Sequence, residues 1–160
     1  VLYNDATLGN QYPVKLFGFE DLWGKLWEFR PGVRFYMDGE TRKAVIYSGN
    51  QVSNTASGRE VVCLAAANGE YITKMTLGEF WDMIPQAVGG GNNTYYADGC
   101  WASKTGELLL VGGGAGNGSQ CGVACSASNS GFSASLTDVG ARLAFYGTPI
   151  LVDGSKLVAM

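Results

Sequence analysis

Hydrophobic positions along the chain follow a helical spacing in one segment and form strand-like runs in several others. "GFEDLWGKLWEF" contains five apolar residues in such a pattern: Phe19, Leu22, Trp23, Leu26 and Trp27. They stand three and four residues apart, which is the spacing of one helix face. Gly24 interrupts this face, and a glycine weakens a helix interior by about 1 kcal/mol. The segment therefore predicts either one continuous helix or a short helical turn that runs into a strand over residues 25–36.

The strand-like runs lie further along the chain. "VVCLAAANGEYITKM" predicts a hairpin around Asn68-Gly69, because Asn-Gly supplies the two positive φ angles of a type I′ turn. "ELLLV" (107–111) and "VGARLAFYG" (139–147) predict further strands, and Asp153-Gly154 marks a second hairpin near the end. With 160 residues, of which 46% are hydrophobic, we expect a single domain over 1–160. Because the chain starts at Val1, we expect that domain to be the C-terminal part of a longer protein.

Charge and composition narrow the classes of function. The net charge is −3 and the basic residues are scattered, so we expect neither nucleic acid nor membrane insertion. Histidine is absent, which removes Ser/His/Asp and Cys/His catalysis and most zinc enzymes. The cysteines Cys63, Cys100, Cys121 and Cys125 form no C-x-x-C motif and are expected to be free or partly buried thiols. We expect no enzymatic activity, no metal and no cofactor.

A stretch poor in large side chains, "GGGAGNGSQCGVACSASNSGFSAS", occupies residues 112–135. Of its 24 residues, 17 are Gly, Ala or Ser, and no charged residue occurs from Leu108 to Thr137. A flexible linker is disfavoured because only 25 residues follow Ser135, too few for a second core. A phosphate-binding loop is disfavoured because the spacing never completes G-x-G-x-x-G and no lysine is present. An ordered irregular loop of this length is usually functional, so binding is the expected role.

Three blocks occur in order: "GFEDLWGKLWEF" (18–29), "IPQAVGGGNNTYYADGCW" (84–101) and "LLLVGGGAGNGSQCGVACSASNSGFSASLTDVGARLAFYG" (108–147). Together they resemble the C-terminal domain of phage tail-fibre and related variable proteins with the C-type lectin-like fold, of the kind diversified by retroelements. The resemblance implies an α+β fold, with short helices around small antiparallel sheets and a long irregular region. It implies no lectin-type calcium site, since the loop carries no carboxylate.

The resemblance also divides the residues into a supporting framework and a ligand-contacting set. The framework is Trp23, Trp27, Glu28, Trp101, Gly112, Gly113, Asn117, Gly118 and Arg142. The ligand-contacting set is Gly114, Ala115, Gly116, Ser119, Gln120, Cys121, Val123, Ala124, Cys125, Ser126, Ser128, Ser130, Phe132 and Ser133. Tyr95 and Tyr96, which are counted with this set, are either core residues or border the binding face. Arg142 is either an outward-facing charge or, as the resemblance implies, the partner of a carboxylate such as Glu28 or Asp98.

The function implied is a receptor-binding adhesin on a virion tail, or alternatively on a bacterial cell surface. Its partner would be a bacterial surface protein or glycan, and display as a homotrimer would raise avidity. The same scaffold is shared with sulfatase-modifying oxidases, so a cysteine-dependent oxidase that uses Cys121 and Cys125 is one alternative. A purely structural domain of a virion or cell surface is the other.

Overall fold

A computed structural model describes residues 15–16, 19–48, 52–78, 82–94 and 96–141. Strands make up 46% of these residues and helix 5%. The strands are β1 (Lys15–Leu16), β2 (Phe19–Glu20), β3 (Trp27–Asp38), β4 (Thr41–Ile46), β5 (Arg59–Val62), β6 (Ala67–Met75), β7 (Pro85–Gly90), β8 (Gly99–Ala102), β9 (Leu108–Val111), β10 (Ser126–Ser128) and β11 (Val139–Gly140). A 3₁₀ segment covers Ala115–Gln120.

The sheet is a curled half-barrel of eight strands in the order β5-β4-β3-β9-β10-β8-β6-β7, and β11 pairs with the start of β3. Its two edge strands approach each other, because the Leu64 amide donates to the Pro85 carbonyl at 3.1 Å and the Gln86 side chain donates to the Val62 carbonyl at 3.1 Å. Arg59 and Asp82 form an ion pair across the same gap. The expected α+β fold of C-type lectin-like type, with short helices, is therefore wrong.

The apolar segment before β3 does not form the predicted helix. Asp21 and Gly24 adopt positive φ angles of 56° and 83°, which a right-handed helix excludes. The chain bends there and enters β3 at Trp27, so the alternative of a strand over residues 25–36 is close to what forms. Trp27 and Phe29 then stand two residues apart on one face of the sheet, which is strand spacing.

The Asn68-Gly69 hairpin is also wrong. Both residues lie inside β6, and the ladder with β8 is irregular between Asn68 and Glu70. Gly69 has a φ of 81°, so the positive φ that predicted a turn instead forms a bulge. By contrast, the strand predicted at 107–111 is confirmed as β9. β11 starts the strand predicted at 139–147, while the rest of that strand and the Asp153-Gly154 hairpin lie outside the described residues.

The pairing of β3 with β9 is interrupted, and for this reason β3 contributes large apolar side chains to both faces of the sheet. Arg30 pairs with Leu109 and Arg34 with Leu108, so three residues of β3 have no counterpart in β9. Phe29 consequently lies on the face of Leu110, whereas Phe35 lies on the face of Leu109. The inner face carries Val33, Phe35, Ala44, Cys63, Ile84 and Leu109. The outer face carries Trp27, Leu110, Cys125 and Ala127, against which Phe29, Trp101 and Val139 pack.

The inner face also buries a cation. Arg42 is 2% exposed, and its guanidinium lies 4.3 Å from the centre of the Phe35 ring. It donates to the carbonyls of Leu64 at 3.0 Å and Gly106 at 3.1 Å and to both oxygens of Ser128. Burial lowers the pKa of Arg42 from its usual value. Carbonyl dipoles, rather than a carboxylate, therefore balance this charge.

Candidate functional site

The region between β9 and β10, residues 112–125, forms one compact unit on the outer face, called here the presented segment. Its ends are joined, because the Gly112 amide donates to the Cys125 carbonyl at 3.1 Å. Gly112 and Gly113 turn the chain out of β9 with φ angles of 90° and 78°. A Cβ on Gly113 would lie 2.6 Å from Cys121 Sγ and 3.0 Å from Cys125 Sγ. Only glycine fits this position, because both the φ angle and the space require it.

The link between β2 and β3 supports one side of the presented segment. The Gly24 amide donates to the Gly112 carbonyl at 2.9 Å, and the Ala115 amide donates to the Lys25 carbonyl at 3.1 Å. A Cβ on Gly114 would lie 3.3 Å from the Trp27 ring, so this residue packs flat on the indole. The bend that replaces the predicted helix thus serves as a backbone support for the segment.

Hydrogen bonds within the presented segment fix its turns. Asn117 Oδ1 accepts from the Gly114 amide at 2.8 Å. The Cys121 amide donates to the Gly118 carbonyl at 3.2 Å, and the Cys125 amide donates to the Gly122 carbonyl at 3.2 Å. Two successive turns therefore follow Asn117, and each is closed by the backbone alone.

Asp98 anchors the second of these turns from the loop before β8. Its carboxylate accepts from the Ala124 amide at 2.7 Å. Burial raises the pKa of Asp98, while hydrogen bonds from the backbone of Ala124 and Cys125 act in the opposite direction. A Cβ on Gly122 would overlap this carboxylate, so glycine at 122 lets the turn approach it. From the sequence, Asp98 was only a candidate partner of Arg142, and no local pattern indicated its contact with this turn.

Strand β6 supports the other side of the segment. The Gln120 side chain donates to the Gly69 carbonyl, and the Ser119 and Tyr71 hydroxyls are 3.4 Å apart. The Trp101 ring lies against Gly69, where a Cβ would be 3.1 Å from it, and meets Trp27 edge-to-face with 5.5 Å between centroids. The bulge at Gly69 therefore brings β6 to the segment, a contact that the hairpin prediction missed.

The ligand-contacting set predicted from the sequence separates by exposure. Exposed members are Ala115, Gly116, Ser119, Val123 and Ser133. Half-buried members are Gln120, Ala124, Ser130, Phe132 and Tyr96. Buried members are Gly114, Cys121, Cys125, Ser126 and Ser128. The buried members offer little or no surface to a ligand. Tyr95 lies outside the described residues.

The framework predicted from the sequence lies mainly under the presented segment. Trp27 is buried and Trp101 half-buried beneath it, and Trp23 is half-buried beside Gly112. Gly118 adopts a φ of 56° within the 3₁₀ segment. Glu28 is half-buried in β3, where it pairs with Val111 and Gly140. Arg142 lies outside the described residues.

No known protein family, curated protein or solved structure matches the chain. Within the described ranges, no group of three or more His, Cys, Asp or Glu side chains is placed to hold a metal ion. In the same part of the chain, no helix is long and apolar enough to cross a membrane.

Proposed function

We propose that the protein is a non-enzymatic binding module and that the presented segment is its ligand-contacting surface. One observation carries this proposal: backbone, glycines and buried residues hold the segment, while the residues at 115, 116, 119 and 123 are exposed. Val123 is 82% exposed. Rigid elements that hold a small set of outward side chains are a common way to build a binding site.

The exposed side chains limit the kind of ligand. Ala115, Gly116 and Ser119 are small and uncharged, so a ligand here meets the backbone closely and gains little from side-chain anchors. Polar hydroxyls of a glycan or an extended protein segment suit such a surface. A bacterial surface glycan or protein offers such groups, and we propose it as the partner. Display in several copies would compensate for weak single sites.

The oxidase alternative requires the two segment cysteines to reach a substrate. Cys121 is 5% exposed and Cys125 is 0% exposed, so a substrate carbon could contact them only if the Gly122–Ala124 turn opened. The binding proposal requires no such opening, and we prefer it for that reason.

The test is binding of the protein to intact bacterial cells. Biotinylated protein, tetramerised on fluorescent streptavidin, is mixed with a panel of strains and analysed by flow cytometry. We expect staining of some strains, and we expect it to be lost in Ser119→Glu and Val123→Asp. Thr41→Glu is the control, because Thr41 follows the far end of β3, roughly 30 Å from the segment along a strand of this length.

Two results would contradict the binding proposal. Staining that survives both segment variants would place the contact elsewhere on the protein. Absence of staining from every strain, with the folded protein confirmed by circular dichroism, would favour the structural-domain alternative. Sequencing the gene across a propagated population adds a separate test, since a diversified surface predicts substitutions at 115, 116, 119 and 123 and none at Gly113.

A further inference from the structure

The two cysteines of the presented segment bring their sulfur atoms together inside the protein. Cys121 and Cys125 lie on either side of the Gly122–Ala124 turn, and both are buried. Both Sγ atoms lie within 3.0 Å of the single point where a Cβ on Gly113 would stand. The missing side chain of Gly113 thus leaves the space in which the two sulfurs meet.

A chain of hydrogen bonds makes the two thiols unequal. The Cys125 thiol hydrogen-bonds to the Cys121 sulfur, and the Cys121 thiol donates to the Gly114 carbonyl at 3.2 Å. The bond from Cys125 lowers the pKa of Cys121, and the same bond raises the pKa of Cys125. Of the two, the thiol with the lowered pKa is the candidate for the attacking cysteine and its neighbour is the candidate for the resolving cysteine.

We propose that Cys121 and Cys125 are a redox modification site that closes to a disulfide when the protein meets a peroxide. The inference rests on the placement of the two sulfurs and does not depend on the proposed ligand. Three residues separate the cysteines, and the Gly122 carbonyl and the Cys125 amide close a turn between them. Because both sulfurs also border the Gly113 Cβ position, a disulfide would close only a short loop.

The reaction balances with hydrogen peroxide as the oxidant. The Cys121 thiolate attacks one peroxide oxygen, the O–O bond breaks, and the departing hydroxide takes a proton to become water. Cys121 is then a sulfenic acid. The Cys125 sulfur attacks Cys121 Sγ, the S–S bond forms and the S–O bond breaks, and the leaving hydroxide takes the Cys125 proton as a second water. Two thiols lose two electrons and two protons, and one peroxide becomes two waters.

The other two cysteines provide matched controls. Cys63 and Cys100 are buried on the inner face beside Arg42. Burial raises the pKa of Cys63 and raises that of Cys100 to about 11. These thiols remain protonated at neutral pH and react slowly with peroxide. Replacing either by serine should leave disulfide formation in the segment unchanged.

The experiment treats the reduced full chain with equimolar peroxide at neutral pH, denatures it in N-ethylmaleimide and maps the tryptic peptides by mass. Trypsin cleaves after Lys104 and Arg142, so the peptide 105–142 carries Cys121 and Cys125 and neither of the others. We expect this peptide to lose two hydrogens and take no maleimide. In Cys125→Ser, dimedone added with the denaturant after the peroxide should trap a sulfenic acid on Cys121, and in Cys121→Ser it should trap far less on Cys125.

Each result decides the proposal. It is overturned if peptide 105–142 carries two maleimides after peroxide treatment, or if Cys63 or Cys100 is oxidised first. Equal dimedone labelling of the two serine variants would overturn the assignment of Cys121 as the attacking thiol. If either variant fails to fold, the wild-type peptide map alone decides whether the disulfide forms.

Discussion

The guanidinium of Arg42 donates to both oxygen atoms of Ser128, at 2.6 Å to the carbonyl and 3.1 Å to the hydroxyl. These residues lie 86 positions apart and join β4 to β10 across the inside of the half-barrel. The cavity beside them measures about 10 Å³, about the space of one water molecule. This contact therefore ties β10, which directly follows the presented segment, to β4.

Replacing Arg42 by methionine should lower the free energy of unfolding by several kcal/mol, since each buried acceptor left without a donor costs about 1–3 kcal/mol. The carbonyls of Leu64 and Gly106 would lose their buried donor, as would Ser128, and methionine offers none in exchange. Urea unfolding followed by circular dichroism measures the change. Arg34→Met is the control, because the half-buried Arg34 gives up a bond to the Ala56 carbonyl, expected to cost about 1 kcal/mol. Equal losses in the two variants would show that the buried network adds nothing.

Gly113→Ala should destabilise the protein by about 2 kcal/mol or more. The new methyl group would stand at a φ of 78°, and it would meet the Cys121 sulfur at 2.6 Å. Gly116→Ala is the matched change, since no atom lies within 4 Å of its Cβ position, and we expect a shift within about 0.5 kcal/mol. Thermal melts of both variants compare them directly, and a Gly113→Ala protein as stable as Gly116→Ala would refute the packing described for the sulfurs.

Asp98 should make stability depend on pH in the acid range. Its folded pKa is raised by burial, so between the unfolded and folded pKa values the folded protein holds a proton that the unfolded chain releases. The free energy of unfolding therefore falls as pH rises through that window. Asp98→Asn keeps an acceptor oxygen for the Ala124 amide and removes the titration.

Urea unfolding from about pH 4 to about pH 7 measures this effect. Relative to Asp98→Asn, the wild-type protein should gain stability as the pH is lowered. Glu40→Gln controls for a change of charge at a side chain that is 96% exposed. A constant difference between wild type and Asp98→Asn across the range would show that the buried carboxylate does not titrate as proposed.

The exposed positions of the presented segment should accept large side chains without loss of stability. Ser119→Tyr and Val123→Asp are each expected to change the free energy of unfolding by about 0.5 kcal/mol or less, because neither residue is buried. Ser128→Tyr, at a buried position of β10, should prevent folding or cost several times more. A large loss in Val123→Asp would mean that Val123 supports the structure.

Local sequence patterns predicted some strands correctly. They failed at residues whose local pattern suits two different conformations. "ELLLV" predicts β9 because a short apolar run suits a strand buried on both faces. The spacing of Leu22, Trp23 and Trp27 suits a helix. The positive φ at Gly24 excludes a helix there, and Trp27 is instead the first residue of β3. Positive φ at Gly69 was foreseen, but whether it makes a turn or a bulge depends on β8, which lies thirty residues away in the sequence.

The candidate site at 114–133 stays a prediction, and the sequence did not show which of its residues lie inside the protein. "SAS" at 126–128 has neither branched nor aromatic residues, so no propensity marks it as a strand. Its small side chains fit because Ala127 lies under Trp27 and Trp101 while Ser126 and Ser128 face the Arg42 side. These packing partners decide which of the small residues are buried. They lie far away in the sequence, so no local pattern shows them.

The position of β10 between β9 and β8 restricts the insertions and deletions that the fold tolerates. β10 is only three residues long and pairs on both sides, antiparallel to Leu110 and Val111 and parallel to Cys100, Trp101 and Ala102. Inserting or deleting one residue just before it would shift its register and exchange the faces of Ala127 and Ser128. We therefore expect the fold to tolerate substitutions at 115, 116, 119 and 123 better than a change in the number of residues between β9 and β10.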